Sequence, residues 1–345
     1  MSATTQVTDF SDLYTDLQNR VRVATSITAT ENQAKRYINS ALHDIHMNYD
    51  YRYAWTERSA VLRTHAPYTT GTVSVSVGST ALAGSSTLWI TDNSYGEDNA
   101  RTTGKLTISG GTDIYRISTV TDDTNIVLTD RYVASAAASG ATYTYFEDEY
   151  ALASDFLRPI DMQFFSQAWT IPLVSRLEFR RAYPRPNVSG RPAVASIIDL
   201  ATSSSTTPRR LIKFYPYPSD VFLIPYNYVS SYLARPSAGV EQAALSSNSD
   251  EPIMPLRYRH IIVLHALYNW FRDKRDDQRS QEVKAEYTDA MLRMVADVEI
   301  GTHNKAQIQP RLGGYWGHAR RPYASASGSR YSVNDSFDRL EDRNR

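Results

Sequence analysis

Three consecutive acidic residues, Glu147-Asp148-Glu149, are the first place in this chain where chemistry is conceivable. Two carboxyl groups can serve as general acid and base when their surroundings hold one protonated and the other ionised. Adjacent residues of an extended strand point to opposite faces, which works against such a pair, and sequence does not set the separation it needs. Histidines supply two further candidates. His43 and His46 share a helix face and could touch one ion, but no third ligand stands nearby, so both read as polar helix-edge residues. His260 and His265 diverge by about 140° around a helix, too far to share a metal. The run Asp92-Asn93-Ser94-Tyr95-Gly96-Glu97-Asp98-Asn99 has the residue types of a calcium loop. The position of Gly96 and the lack of a closing Glu break the EF-hand pattern, which predicts a solvated acidic loop. There is no His-Glu-x-x-His pattern and no glycine-rich phosphate loop ending in Gly-Lys-Ser/Thr. The absence of cysteine excludes disulfides, thiol nucleophiles and every cysteine-based metal site. Catalysis, cofactors and bound metals are therefore not expected.

The 345 residues balance 37 Lys+Arg against 37 Asp+Glu, so net charge gives no reason to expect a free DNA-binding or membrane-surface protein. No stretch approaches the roughly 20 apolar residues of a membrane span. The first residues lack an apolar leader core, so synthesis in a cytoplasm is expected, where the Asn187-Val188-Ser189 glycosylation pattern is chance. Tyrosine is heavily used, with 24 copies against 10 Phe and 5 Trp. Amphipathic rings suit surfaces that are wet before assembly and buried after it, and equally suit strands and core edges.

The elements that must position these residues follow from periodicity. Phe10, Leu13, Tyr14, Leu17 and Val21 form one helical stripe. A second helix starts near Thr28 or Thr30, where Thr28-x-x-Glu31 and Thr30-x-x-Gln33 fit a capping box. Its stripe is Ala34, Tyr37, Ile38, Ala41, Leu42 and Ile45, and the two stripes face each other or a neighbouring subunit. From Gly71 the chain turns to Thr, Ser, Val, Gly and Ala in short alternating runs: Thr72–Val77, Lys105–Ser109, Ile114–Val120, Asn125–Leu128 and Ala141–Tyr145. Short strands separated by Gly and Asp clusters predict a small β-sandwich or barrel. Residues 71–147 carry 4 Lys/Arg and 8 Asp/Glu, an acidic module. Residues 148–250 mix extended runs with turns and predict a second small sheet belonging to the body. Pro255 to Phe271 is apolar almost all round, a buried helix, and after the charged break Arg272–Asp277 an amphipathic helix carries Tyr287, Met291, Met294, Val295 and Val298.

Periodicity ends at Gly301. The last 45 residues hold 8 Lys/Arg, 4 Asp/Glu and isolated aromatics, a composition that orders on a partner and not on itself. Tyr315, Trp316 and Tyr323 are the expected anchors, and Arg320 and Arg321 the expected partners of acidic groups. The fold class expected is α+β: a helical body of two N-terminal and two C-terminal helices, an inserted small all-β module, a second small sheet and an extended C-terminal tail. Its segments are 1–70, 71–147, 148–300 and 301–345.

The order of parts resembles a known family. Two N-terminal helices are followed by the aromatic turn Tyr51 to Trp55 and by Thr69-Thr70-Gly71-Thr72-Val73. Then come Gly78-Ser79-Thr80-Ala81-Leu82-Ala83-Gly84-Ser85-Ser86-Thr87-Leu88-Trp89, Tyr115-Arg116-Ile117 and Tyr150-Ala151-Leu152-Ala153-Ser154-Asp155-Phe156-Leu157-Arg158-Pro159. Gly190-Arg191-Pro192, Phe214-Tyr215-Pro216-Tyr217-Pro218 and Pro252-Ile253-Met254-Pro255-Leu256-Arg257-Tyr258 complete the set. This succession, over roughly residues 8–300, resembles the head-to-tail adaptor proteins of tailed bacteriophages. The resemblance implies a virion neck protein, made in the host cytoplasm, that forms a homo-oligomeric ring of twelve copies beneath the portal protein. It implies a downstream tail or nozzle protein as second partner, passive contact with DNA in the lumen, and no membrane.

Independently, a ring subunit needs apolar faces on more than one side, because each copy meets two neighbours in heterologous contacts. On that reading Leu13, Leu17, Tyr37, Ile38 and Leu42 pack subunit against subunit, and the tail docks on the portal or an adjacent adaptor subunit. The acidic loops of the β module, Glu97 and Asp98 included, face solvent or another tail component. The competing readings are another virion ring, such as a tail nozzle or completion protein, and a cell-wall-binding or wall-hydrolysing protein with residues 71–147 as its binding module.

Overall fold

Asp9 starts the first helix: its carboxylate accepts the Asp12 N–H at 2.9 Å, satisfying one of the donors a helix N-terminus leaves open. Helix α1 (Phe10–Val21) ends at Arg22 in the left-handed region (φ 58°), and α2 (Thr28–Met47) follows. The start of α2 at Thr28 is the expected one, and the Thr30 hydroxyl donates to the Ile27 carbonyl at 2.7 Å. The computed structural model describes residues 7–23, 27–47, 53–109, 113–164, 167–183, 187–199, 209–237 and 239–307. The chain divides into two compact units, 1–287 and 288–345.

In the first unit β1 (Glu57–Arg63) leads to seven short strands: β2 (Thr72–Val75), β3 (Ala81–Ser85), β4 (Lys105–Ile108), β5 (Ile114–Asp122), β6 (Asn125–Leu128), β7 (Ala138–Ala141) and β8 (Tyr143–Phe146). Next come β9 (Glu149–Ala151), β10 (Phe156–Phe164), β11 (Gln167–Thr170), α3 (Arg176–Ala182), β12 (Ser189–Gly190), β13 (Val194–Asp199), β14 (Arg210–Tyr215), β15 (Tyr217–Pro218), β16 (Leu223–Ser230), β17 (Ala234–Arg235) and β18 (Glu251–Pro252). Helix α4 (His260–Asp273) and the long α5 (Asp277–Gln307) close the described chain, separated at Arg275, whose φ is 59°. The second unit is represented by the C-terminal part of α5, where Arg293 pairs with Asp289 at 2.7 Å. Helix α5 runs through Gly301, where sequence placed its end; one glycine costs a helix only about 1 kcal/mol and does not by itself stop it.

The helical body with one small β insert is overturned. Among the described residues five α-helices stand beside eighteen strands in five sheets, and the largest sheet alone has seven strands. The physical reason lies in residues 149–230. Their Tyr-, Ile- and Val-rich runs form more than the one small sheet expected there, with alternating strands such as β16, where Ile224, Tyr226 and Tyr228 point inward. They pair over long distances: β1 runs antiparallel to β16, with Leu62 opposite Ile224, in a sheet ordered β1-β16-β10-β11. A second sheet, β13-β14-β9, joins it around Tyr150, Phe156, Ile212, Phe214, Ile224 and Tyr226. The helices form their own layer: α1, α2 and α4 pack pairwise, and Phe10, Leu13, Leu17, Ile38, Leu42, Ile261 and Ile262 are buried.

The seven-stranded antiparallel sheet has the order β7-β2-β3-β6-β5-β4-β8 and curls on itself. Only Thr142 separates β7 from β8, so one continuous run of chain pairs with β2 at one edge and β4 at the other. The curl encloses Val73, Leu82, Trp89, Leu106, Ile117, Ile126, Leu128 and Tyr145. Trp89, fully buried, donates its indole N–H to the Tyr143 hydroxyl at 2.9 Å, which donates onward to the Thr70 carbonyl at 2.8 Å. Truncating a tryptophan so placed costs about 3–5 kcal/mol. The module's two ends meet where Tyr68 and Tyr145 exchange both backbone hydrogen bonds at 2.9 Å.

Candidate functional site: a charged junction beneath the curled sheet

Chain enters the curled sheet through Thr64-His65-Ala66-Pro67 and leaves it through Glu147-Asp148, and at this crossing the acidic run meets its partners. Glu147 and Asp148, the two-residue link between β8 and β9, take different partners. Asp148 is fully buried; Lys105 Nζ lies 2.5 Å from its Oδ1, and Lys213 Nζ lies 3.1 Å from its Oδ2. The same two ammonium groups reach Glu149 Oε1 at 2.8 and 3.1 Å. Two lysines and two carboxylates thus form a neutral quartet, with one lysine from β4 of the module and one from β14 of the body. On the other side Glu147 accepts from Arg101 Nε at 2.8 Å and from the Tyr145 hydroxyl. Arg101 reaches on to Glu97 at 3.2 Å, and Glu97 also holds Arg63 and lies 3.3 Å from His65 Nδ1. Phe146 stacks on Tyr217 at 4.2 Å beside this network.

The electrostatics follow. Burial opposes ionisation of Glu149, but Lys105 and Lys213 outweigh it and hold its carboxyl down to about 2. Burial likewise works against the Lys213 ammonium, and Asp148 with Glu149 pull its pKa up. His65 is pushed down by burial against the counter-pull of Glu147 and Glu97. Burial, reinforced by the Glu147 charge, raises the Tyr145 phenol well above its ordinary range. An acid catalyst needs a carboxyl held protonated near neutrality. Here Glu149 is instead held ionised, and its ion pairs tie β9 to β4 and β14. The cost of desolvating such groups is offset only because each has its partner.

Sequence singled out the acids of this cluster but missed its basic residues, Arg63, His65, Arg101, Lys105 and Lys213. A signal existed for two of them: Lys105 heads the strand Lys-Leu-Thr-Ile, and Lys213 interrupts the apolar run Leu-Ile-Lys-Phe. Within the acidic loop Asp98 is exposed, and Glu97, part-exposed, also reaches Arg63, His65 and Arg101. His43 is exposed, whereas His46 is buried beneath Trp55 and is no helix-edge residue; no shared ion site forms between them. His265 lies against the Tyr287 ring at 4.7 Å, and His260 is exposed.

The five residues expected to pack subunit on subunit lie together in the helical layer. Leu13, Leu17, Ile38 and Leu42 are buried inside this chain, where the α1 and α2 stripes meet each other and α4. Tyr37 is half-buried; its ring lies 5.3 Å from Trp270 and its hydroxyl donates to Asp273 at 2.6 Å. The expected docking residues Tyr315, Trp316, Arg320, Arg321 and Tyr323 lie outside the described residues. No protein-family model matches this chain, and no curated protein matches it either.

Proposed function

We propose that this chain is a structural subunit of the neck of a tailed bacteriophage: a ring seated beneath the portal that joins head to tail and lets DNA pass. The observation that carries the reading is the ordered set of residues whose succession resembles that of head-to-tail adaptors. What supports it further is that those residues do the internal work of the fold. Trp89 and Tyr115 fill the curled sheet. Asp155 accepts from the Tyr228 and Ser230 hydroxyls at 2.8 and 2.7 Å, tying the start of β10 to β16. Gly190 pairs with Pro218 just beyond the cis Tyr215-Pro216 bond. A resemblance resting on such positions is one of scaffold and not of scattered surface residues.

In this reading the basic, aromatic-bearing tail docks on the portal through Tyr315, Trp316, Tyr323, Arg320 and Arg321, and twelve copies close around the lumen. The test is electron microscopy of the purified chain mixed with the portal of its own phage. Rings of this protein stacked coaxially on the portal are expected. Its absence from virions, or a cleared band on cell-wall material in a zymogram, would sink the proposal.

A further inference from the structure

The seven-residue helix α3 carries three arginines, Arg176, Arg180 and Arg181, all of them exposed. Elsewhere arginines are commonly answered by acids: Arg20 by Asp16, Arg58 by Glu241, Arg101 by Glu97 and Glu147, Arg259 by Glu251. On α3, among the described residues, no carboxylate lies within ion-pair distance of any of the three. This arrangement works against the helix itself. Arg176 and Arg180 are one turn apart and repel, and Arg176 occupies the first turn, where the helix dipole disfavours a cation.

The helix is nonetheless firmly seated. The Ser175 hydroxyl accepts the Glu178 N–H at 3.2 Å, and Phe179 is buried as its apolar anchor. Phe179 meets Tyr183 edge-on at 5.6 Å, and Tyr183 stacks on Tyr215 of β14 at 4.2 Å. A short helix, pinned from below, that keeps three unmatched guanidinium groups outward is suited to an anion supplied from outside. Leu177, 60% exposed, is its one exposed large apolar side chain, too little for the apolar centre of a protein interface. Guanidinium forks match phosphate oxygens in a bidentate manner.

We propose that α3 is the surface through which this chain touches the phosphate backbone of duplex DNA, without reading base sequence. The inference rests on the neck-ring reading for the identity of the polyanion, the duplex that passes through the ring.

The test is fluorescence anisotropy of a mixed-sequence duplex with the full chain, titrated between about 50 and 200 mM salt. Three proteins are compared: wild type, R176Q/R180Q/R181Q, and a charge-matched control, R36Q/R116Q/R131Q, whose arginines are also exposed. Each lost phosphate contact lowers the salt slope by about 0.9, so the α3 variant is expected to lose about 2.7. Wild type then loses on the order of 40-fold more affinity than the α3 variant across that salt range, and the control behaves as wild type. Circular dichroism checks that each variant is folded; should the triple variant not fold, R176Q and R180Q singly are each expected to lower the slope by about 0.9. No measurable binding by wild type at the lowest salt, an unchanged slope in the α3 variant, or an equal drop in the control would overturn the proposal. So would an α3 variant that keeps its slope but loses self-association in sedimentation, which would make α3 a protein interface. Because binding is read on the free chain, the two proposals fail separately: a lowered slope without rings on the portal sinks the neck reading alone, and rings with an unchanged slope sink this one alone.

Discussion

His46 ties the stability of the helical layer to pH. Its Nδ1 lies 2.8 Å from the Leu42 carbonyl, which calls for a proton on Nδ1 and leaves Nε2 to accept the Trp55 indole N–H at 3.0 Å. The residue is 2% exposed, and burial, partly countered by the Leu42 carbonyl, holds its pKa down from 6.5 to about 4. Protonation would set an N–H against the Trp55 N–H inside a buried pocket. The folded chain therefore binds this proton more weakly than the unfolded one. Its contribution to stability is whole above about pH 6.5 and is lost as pH falls toward 4. At about 1.4 kcal/mol per unit, the full window corresponds to roughly 3 kcal/mol. The comparison is wild type against His46→Gln, whose amide can donate to Leu42 and accept from Trp55 without titrating. Urea unfolding of both proteins at intervals from about pH 7 to pH 4.5 is the assay. Wild type is expected to lose about 2–3 kcal/mol more than the variant over that range. A difference between the two that stays level with pH would refute the reasoning, because carboxylates elsewhere titrate alike in both.

Three further outcomes follow from the geometry. Asp148→Asn removes one of the two charges that Lys105 and Lys213 share, and the surplus buried positive charge left against Glu149 alone is expected to cost about 3–5 kcal/mol by chemical denaturation; adding Lys105→Met should recover most of it, and additive losses would count against a coupled quartet. Gly104→Ala would set a methyl carbon 2.1–2.3 Å from the Tyr145 ring and hydroxyl, which Glu147 and the Arg101 N–H hold in place, so a loss of about 1–3 kcal/mol is expected in thermal melts and an unchanged melt would show that the ring yields freely. The purified chain without portal is expected to sediment as a monomer at micromolar concentration, and a stable closed ring would contradict assembly on a template.

Where local pattern decides the structure, sequence was a good guide. The α1 and α2 stripes and the apolar α4 follow from 3.6-residue spacing, and strands β4, β5 and β6 from alternation between glycine and aspartate turns. Strand β3 was not legible, because Ala-Leu-Ala-Gly-Ser offers one bulky side chain and no alternation; its place comes from pairing between β2 and β6. The balance of helix and sheet was misjudged for a similar reason. β1 and β16 form one ladder, yet they lie at opposite ends of the body sequence, and no local window contains both. The charged junction was half legible: its acids are adjacent in sequence, while Arg101, Lys105 and Lys213 reach them only through register.

The single residue between β7 and β8 has a consequence for how the chain comes off the ribosome. The run that covers the outer side of β2 is also the last part of the curled sheet to be made. Val75 meets Ala138 only after roughly 60 further residues, which at about 5–20 residues per second leaves that strand without its neighbour for on the order of 3–12 seconds. During that interval the nascent sheet is a ribbon with an open flank, and nearby copies on the same message are its natural wrong partners. Synthesis of residues 138–146 closes the flank toward β2 and the flank toward β4 with one stretch of chain, so the interval of exposure ends at both sides almost together.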